Sequence, residues 1–327
     1  MNIHRKTVTV ALLAALTTLG AATAFGISID TVTVGNINNA PDSSGYGAVS
    51  YEYQIGKYEV TNTQYAAFLN AVSSGANPLS LYNSNMSSNA YGGITYAGGS
   101  YTVKAGYENK PVNYVSFYDA MRFTNWLTTG NTETGVYNLL GGTATPSNGT
   151  SVTRTLDQIP GTLWAIASED EWYKAAYYKG GGTDAGYWLY PTQSDTLPTQ
   201  SEANYYNGGY ANANGPLGNG DRISDVGSYG LVTGAYGTFD QAGNMYEWND
   251  TIISGNARVV RGGSFGPGTD VASSARYNSD PALEYYNGGF RVVALSSLAP
   301  VPEPATYAAL AGLAMLGWAA LRRRGSR

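Results

Sequence analysis

Apolar and polar positions alternate over residues 27–34, which predicts an opening strand. Residues 49–58 predict a second, with Tyr51, Tyr53 and Ile55 on one face. The period then lengthens. Thr61-Asn62-Thr63-Gln64 has the spacing of a capping box and opens a helix to about Val72, whose Tyr65, Phe68, Leu69 and Val72 recur at helical intervals. Ser116 is the N-cap of a second helix, with Asp119 in its first turn and Ala120, Phe123, Trp126 and Leu127 as its buried stripe. Ser168 and Glu171 form a third box, ahead of a helix that buries Trp172, Ala175 and Ala176 and ends before Gly180. Short strands are predicted at 163–166 and 258–261, and a closing segment follows at 288–293. Residues 73–107, 128–160 and 204–220 are rich in Gly, Ser and Asn and read as long loops, the kind that are often functional. No repeat of fixed period and no second apolar core is evident, so one domain over about 27–295 is the economical reading.

The stretch at 237–248, Gly-Thr-Phe-Asp-Gln-Ala-Gly-Asn-Met-Tyr-Glu-Trp, places Asp240 and Glu247 on either side of Gly243. Two carboxylates and several carbonyls around a glycine bend suit a hard cation such as calcium. A solvated turn beside an aromatic core satisfies the same residues.

Both ends read as addresses. Arg5 and Lys6 precede an apolar run at 7–19, and Ala22-Thr23-Ala24 has the form of a cleavage site, so residues 1–24 are predicted to be a signal peptide for signal peptidase. At the other end Pro302-Glu303-Pro304 precedes an apolar run at 307–321 and then Arg322, Arg323 and Arg324. That run could form a short membrane helix held by its arginines. The predicted domain therefore covers residues 25–296, with a sorting tail at 297–327.

Processing changes the charge. Without Arg5, Lys6 and four tail arginines the basic count falls from 18 to 12, and without Glu303 the acidic count falls from 23 to 22, leaving about −10. Such a surface disfavours nucleic acid and anionic membranes and tolerates calcium. There is no cysteine, and the single histidine, His4, lies in the predicted signal peptide. The core thus lacks thiolate nucleophiles, Ser–His–Asp triads and the ligands that copper, iron and zinc sites commonly use. With 42 Gly and 28 Tyr, its composition matches adaptable binding surfaces and extracellular loops equally well.

The order of motifs resembles a known family. Residues 53–65 (Tyr-Gln-Ile-Gly-Lys-Tyr-Glu-Val-Thr-Asn-Thr-Gln-Tyr), Lys110-Pro111-Val112-Asn113, Ala167-Ser168-Glu169-Asp170-Glu171-Trp172, Gly243-Asn244-Met245-Tyr246-Glu247-Trp248, Arg261-Gly262-Gly263-Ser264 and Gly289-Phe290-Arg291 together resemble the sulfatase-modifying-factor family, which includes formylglycine-generating enzyme. The tail resembles a PEP-CTERM signal, which implies export by a Gram-negative bacterium, recognition by an exosortase and a transient membrane anchor.

The family resemblance implies an α+β, C-type-lectin-like fold with short helices, small twisted sheets and calcium-stabilised loops. It implies one calcium site at the Asp240 side chain, the Gly243 and Met245 carbonyls and Glu247, and a second at Asn204, the Tyr205 carbonyl and Asp221. It does not carry over catalysis. The enzyme uses paired cysteines after the Gly-Gly-Ser motif, and residues 265–276 contain none here; the histidines of the related iron-dependent sulfoxide synthases are absent too.

Arg261, Arg276 and Arg291 could take an acidic ligand or pin loops. Asp119, Glu171 and Glu247 could form an acid/base pair, although capping accounts for the first two. Trp164, Trp172 and Trp188 could stack sugars or pack the core. The expected ligand cleft gathers Arg261, Ser264, Arg276, Tyr277, Tyr285, Tyr286 and Arg291. The leading expectation is an exported, non-catalytic binding module at the cell surface or in the matrix, with an exopolysaccharide or surface protein as partner. An oxidoreductase of the formylglycine-generating type and a purely structural matrix protein are the alternatives.

Overall fold

The computed structural model describes residues 21–24, 26–73, 75, 77–149, 151–156, 161–211, 222–230, 232–253, 255–268 and 270–296. Most of the predicted signal peptide, the whole sorting tail and Asp221 lie outside the described residues.

Local capping sets the three longer helices. Thr61 caps α1 (Asn62–Val72), Ser116 caps α3 (Phe117–Thr129) and Ser168 caps α4 (Glu169–Tyr177), each in a reciprocal box with Gln64, Asp119 or Glu171. Gly130, in the left-handed region, ends α3. A four-residue helix, α2 (Asn85–Ser88), lies in the first long insert. That insert also holds a hairpin, β4 (Ile94–Ala97) with β5 (Ser100–Val103), which the glycine-rich composition hid.

The first sheet has the order β1-β2-β3-β11-β6 and is antiparallel throughout. Its members are β1 (Ala21–Ala24), β2 (Ile27–Val34), β3 (Tyr53–Gly56), β11 (Val292–Ser296) and β6 (Thr162–Ile166). The predicted strand at 49–58 shortens to β3. Tyr51 falls outside it and is exposed, while Tyr53 and Ile55 are buried. The pairing of β1 with β2 lies across the predicted cleavage point, so removal of residues 1–24 would open the outer edge of β2.

A second sheet, in the order β10-β7-β8-β9, contains β10 (Gly288–Gly289), β7 (Tyr246–Ile252), β8 (Arg258–Arg261) and β9 (Tyr277–Ser279). Only its β10–β7 pair is parallel. One continuous core joins α1, α3, α4 and the first sheet and includes Tyr65, Phe68, Phe123, Trp126, Trp164, Trp172 and Phe290. Trp164 and Trp172 are therefore packing residues. Among the described residues no helix is long and apolar enough to cross a membrane; the predicted membrane helix falls outside them.

Candidate functional site

Buried ion pairs tie the two sheets and α4 together. Arg291, between β10 and β11, donates to both oxygens of Glu247 on β7 at 2.7 Å, and Trp172 Nε1 donates to Glu247 Oε2 at 2.7 Å. The same guanidinium reaches the carbonyls of Gly56 and Phe239. Arg261 and Arg276 both bond Glu169 at the start of α4, and Arg261 lies against the rings of Tyr46 and Tyr173 at 4.9 Å each. Arg154 bridges Glu171 at 2.7 Å and Asp250 at 3.0 Å, and Arg258 closes on Asp250 at 2.8 Å. Arg261 and Arg291 are thus buried pins of the scaffold, and Arg276 joins them through Glu169. The expected cleft does not gather these three arginines, because carboxylates of α4 and β7 neutralise them.

The expected calcium turn is sharply formed. Gly243 has φ 92°, and a Cβ there would sit 2.2 Å from the Asn204 carbonyl oxygen, so only glycine fits where the two segments bridge. Asp240 and Asn244 also take left-handed backbone, at φ 61° and 58°. Asn204 donates to Arg222 O, Ser224 Oγ and Asn244 Oδ1, and the Tyr205 carbonyl accepts from Gln200. The two expected calcium sets are therefore neighbours on one bridge.

Charge around this turn is unbalanced. Burial raises the Asp240 carboxyl to about 6, although Gly227 N–H donates to it at 2.6 Å. Glu59, also buried, is pushed well above the usual carboxylate range by burial and then by Asp240 and Glu247. Its Oε1 has no hydrogen-bond partner, while its Oε2 accepts from Asn244 at 3.1 Å. Three carboxyls thus share the field of Arg291, more acid than one guanidinium neutralises, and burial meets the excess by holding the protons on Glu59 and Asp240 more tightly. Glu247, however, is committed to Arg291 and Trp172. Among the described residues no three acidic side chains converge closely enough to hold a metal, so calcium here would rely on Asp240 and backbone carbonyls.

An open aromatic cleft lies next to this turn. Phe265 N–H donates to the Asn244 carbonyl at 3.0 Å, which fixes the Phe265 backbone to the turn. A cavity of about 370 Å³ is lined by Tyr91, Tyr114, Tyr210, Phe265, Tyr285 and Tyr286, with Asn85, Asn89 and Glu284 among its polar groups. Tyr91 stacks on Tyr286 at 5.5 Å and meets Phe265 at 5.2 Å. Buried Asn113 holds two sides of this cluster, donating to the carbonyls of Tyr91 and Tyr286 at 3.1 and 2.7 Å. Tyr114 takes φ 57°, a costly conformation for an aromatic residue, and its N–H donates to Tyr285 O at 2.9 Å. Burial raises the hydroxyl of Tyr114 to about 12. Arg222 stacks over Tyr210.

Of the expected cleft residues, Tyr285 and Tyr286 line this cavity, and Ser264 supports it by accepting from Gly266 N–H and Asn287. Tyr277 lines an adjoining recess of about 270 Å³. Tyr91, Tyr114, Tyr210 and Glu284 were not expected, because they lie in irregular chain without periodicity or motif. A separate recess of about 530 Å³ between β2 and α1 has Tyr58 as its one aromatic lining residue among those described. Trp188 lies apart, under Lys179 at 4.3 Å.

This fold and its motif-bearing turns define a class. Residues 32–295 match the sulfatase-modifying factor enzyme 1-like domain, and residues 300–324 match the PEP-CTERM protein-sorting motif. The chain belongs to the sulfatase-modifying factor family and carries an exosortase sorting signal, so it is an exported protein processed at the membrane. No curated protein matches it. Among solved structures it is similar to Treponema denticola variable protein 1, at 21% identity and a TM-score of 0.53 over 83% of this chain and 97% of that one. It is also similar to CarF, at 21% identity and a TM-score of 0.50 over 81% of this chain and 97% of that one. At these identities the likeness establishes the fold, which is the expected α+β arrangement.

Proposed function

We propose that this exported protein is a non-catalytic binding module whose aromatic cleft takes a glycan of the producing cell's own surface or matrix. The observation that carries the reading is the cluster of Tyr91, Phe265 and Tyr286 with Tyr285 at a cavity edged by Asn85, Asn89 and Glu284. Aromatic faces pack against the C–H faces of sugar rings, and short amide and carboxylate side chains bond their hydroxyls. The ancestral oxidase chemistry lacks its residues, since the sequence has no cysteine and its one histidine lies near the N-terminus. The sorting signal supports export, which would bring the cleft to the cell's own surface glycans.

Calcium belongs to the same reading. Asp240, with the carbonyls of Gly243 and Met245, would hold the ion, and Asn204 and Tyr205 support the neighbouring bridge. Bound there, the ion would offset the surplus carboxylate charge and stiffen the turn that fixes Phe265. Glu247 contributes through Arg291 as a counter-ion.

The test is retention of the exported protein on the producing organism's exopolysaccharide, with calcium and with chelator. Retention that weakens in chelator supports both parts. Retention indifferent to chelator removes the calcium part, and no retention in either condition overturns the glycan reading in favour of a protein partner or a structural matrix role.

A further inference from the structure

The recess beside the cleft is built from one face of the second sheet. Residues two apart on a strand share a face. Tyr246 and Trp248 on β7, Val260 on β8 and Tyr277 on β9 all line it. Trp248 pairs with Val260, and Val260 with Tyr277, so these three form one row across the sheet. Tyr246 and Tyr277 meet edge to face at 5.4 Å. Asn278, Ser279 and Asn287 supply polar groups at the same recess.

Tyr285 lines both this recess and the main cavity. Its carbonyl accepts from Tyr114 N–H at 2.9 Å and Gly288 N–H at 3.4 Å, so its backbone is tied down, while the residue is 46% exposed. It borders both recesses, with aromatic side chains on each side. Among the described residues neither lining includes lysine or arginine and the one charged lining group is Glu284, while Arg222 stacks on the lining ring of Tyr210.

We propose that the two recesses are consecutive subsites for a single extended, neutral polysaccharide chain, which crosses Tyr285 and lays sugar rings on both platforms. This rests on the glycan reading of the main cavity and specifies its ligand. Two platforms on either side of a shared wall favour an internal stretch of chain over a single terminal sugar. Glu284, together with the negative net charge, disfavours uronate-rich or sulfated chains beside Tyr285, where among the described residues no lysine or arginine lines either recess and Arg222 stands only at Tyr210. Tyr246 and Tyr277, set edge to face on this sheet, offer contact to sugar rings. A peptide strand would instead seek the backbone groups at the edge of β9.

The experiment titrates the exported protein with size-fractionated hydrolysate of the producing organism's exopolysaccharide, divided into neutral and acidic pools. Affinity for neutral fragments should rise about tenfold or more as length passes from two sugars to about six, the gain expected from a second stacked ring. Tyr277→Ala should remove the gain with length, bringing the affinity of long fragments down toward that of short ones. Tyr285→Ala should weaken both. Affinity independent of length, or long-fragment binding indifferent to Tyr277→Ala, overturns the second subsite and leaves the glycan reading standing. Preference for the acidic pool overturns neutrality. Binding of peptides with no binding of any sugar overturns the glycan reading, and this inference with it.

Discussion

Two neighbouring regions of this protein use the same residue types to opposite ends. Around α4 and β7, arginines meet carboxylates in closed pairs: Arg291 with Glu247, Arg261 and Arg276 with Glu169, Arg154 with Glu171. The charges there are buried or half-buried, and their hydrogen bonds are spent largely on the protein itself. Around Tyr285, aromatic rings and amides face a cavity that, among the described residues, is lined by one carboxylate and no lysine or arginine. The first region fixes the relative position of the two sheets, and the second is free to meet a ligand. An arginine at a family motif is therefore not by itself a binding residue. What matters is whether its partner is already inside the fold.

The largest effect should come from breaking the closed region. Arg291→Ala leaves Glu247, Glu59 and Asp240 without their shared guanidinium and should cost about 3–5 kcal/mol. Thermal unfolding should show a loss on the order of 10 °C. The double variant Arg291→Met with Glu247→Met should recover much of this, because apolar side chains can replace a buried pair. Equal losses in the single and double variants would mean that the pair acts through something other than its charges.

A pH effect of comparable size is expected at Asp119. Burial, and then Glu284, raises its carboxyl to about 7 from an ordinary 3.8, although Ser116 N–H and Oγ both donate to it. The folded-state value lies above the unfolded one, so the contribution is fully present at low pH and is lost as pH rises toward about 7. The change amounts to at most about 4 kcal/mol across that window. Asp119→Asn keeps an acceptor for the cap and removes the titration. Its melting temperature should fall less than that of the parent between about pH 4 and pH 7. A parallel fall in both proteins would remove Asp119 as the cause.

Calcium should have a smaller effect. At saturating ion the stabilisation should be about 2–3 kcal/mol, visible as a melting temperature several degrees lower in chelator. Asp240→Ala should abolish the difference. A variant that keeps the parent's full response to chelator would place the ion elsewhere.

Legibility in the sequence followed the range of the interactions. The helices at Thr61, Ser116 and Ser168 were legible because a capping box is complete within four residues. The strand at 27–34 was legible because its alternation matches its burial. The hairpin at 94–103 was not, since glycine and serine around it read as loop. The aromatic cleft was legible in part. Tyr285 and Tyr286 lie close to a motif, whereas Tyr91 and Tyr114 are brought in by Asn113 and by a backbone contact with Tyr285, which no local pattern announces. Arg261 and Arg291 stayed open between a ligand and the pinning of loops, because sequence shows a guanidinium but not the carboxylate it faces. Glu59, whose orphaned oxygen makes it the most conspicuous acid near Asp240, reads in sequence as an ordinary strand-end residue.

The most direct test of the contrast is one paired measurement on the Tyr91→Ala, Tyr286→Ala variant: retention on the organism's exopolysaccharide and melting temperature, from the same preparation. The account predicts that retention falls at least about tenfold while the melting temperature stays far closer to the parent's than that of Arg291→Ala. Undiminished retention by a folded variant would contradict it, because the aromatic cleft would then not be where this protein meets its ligand.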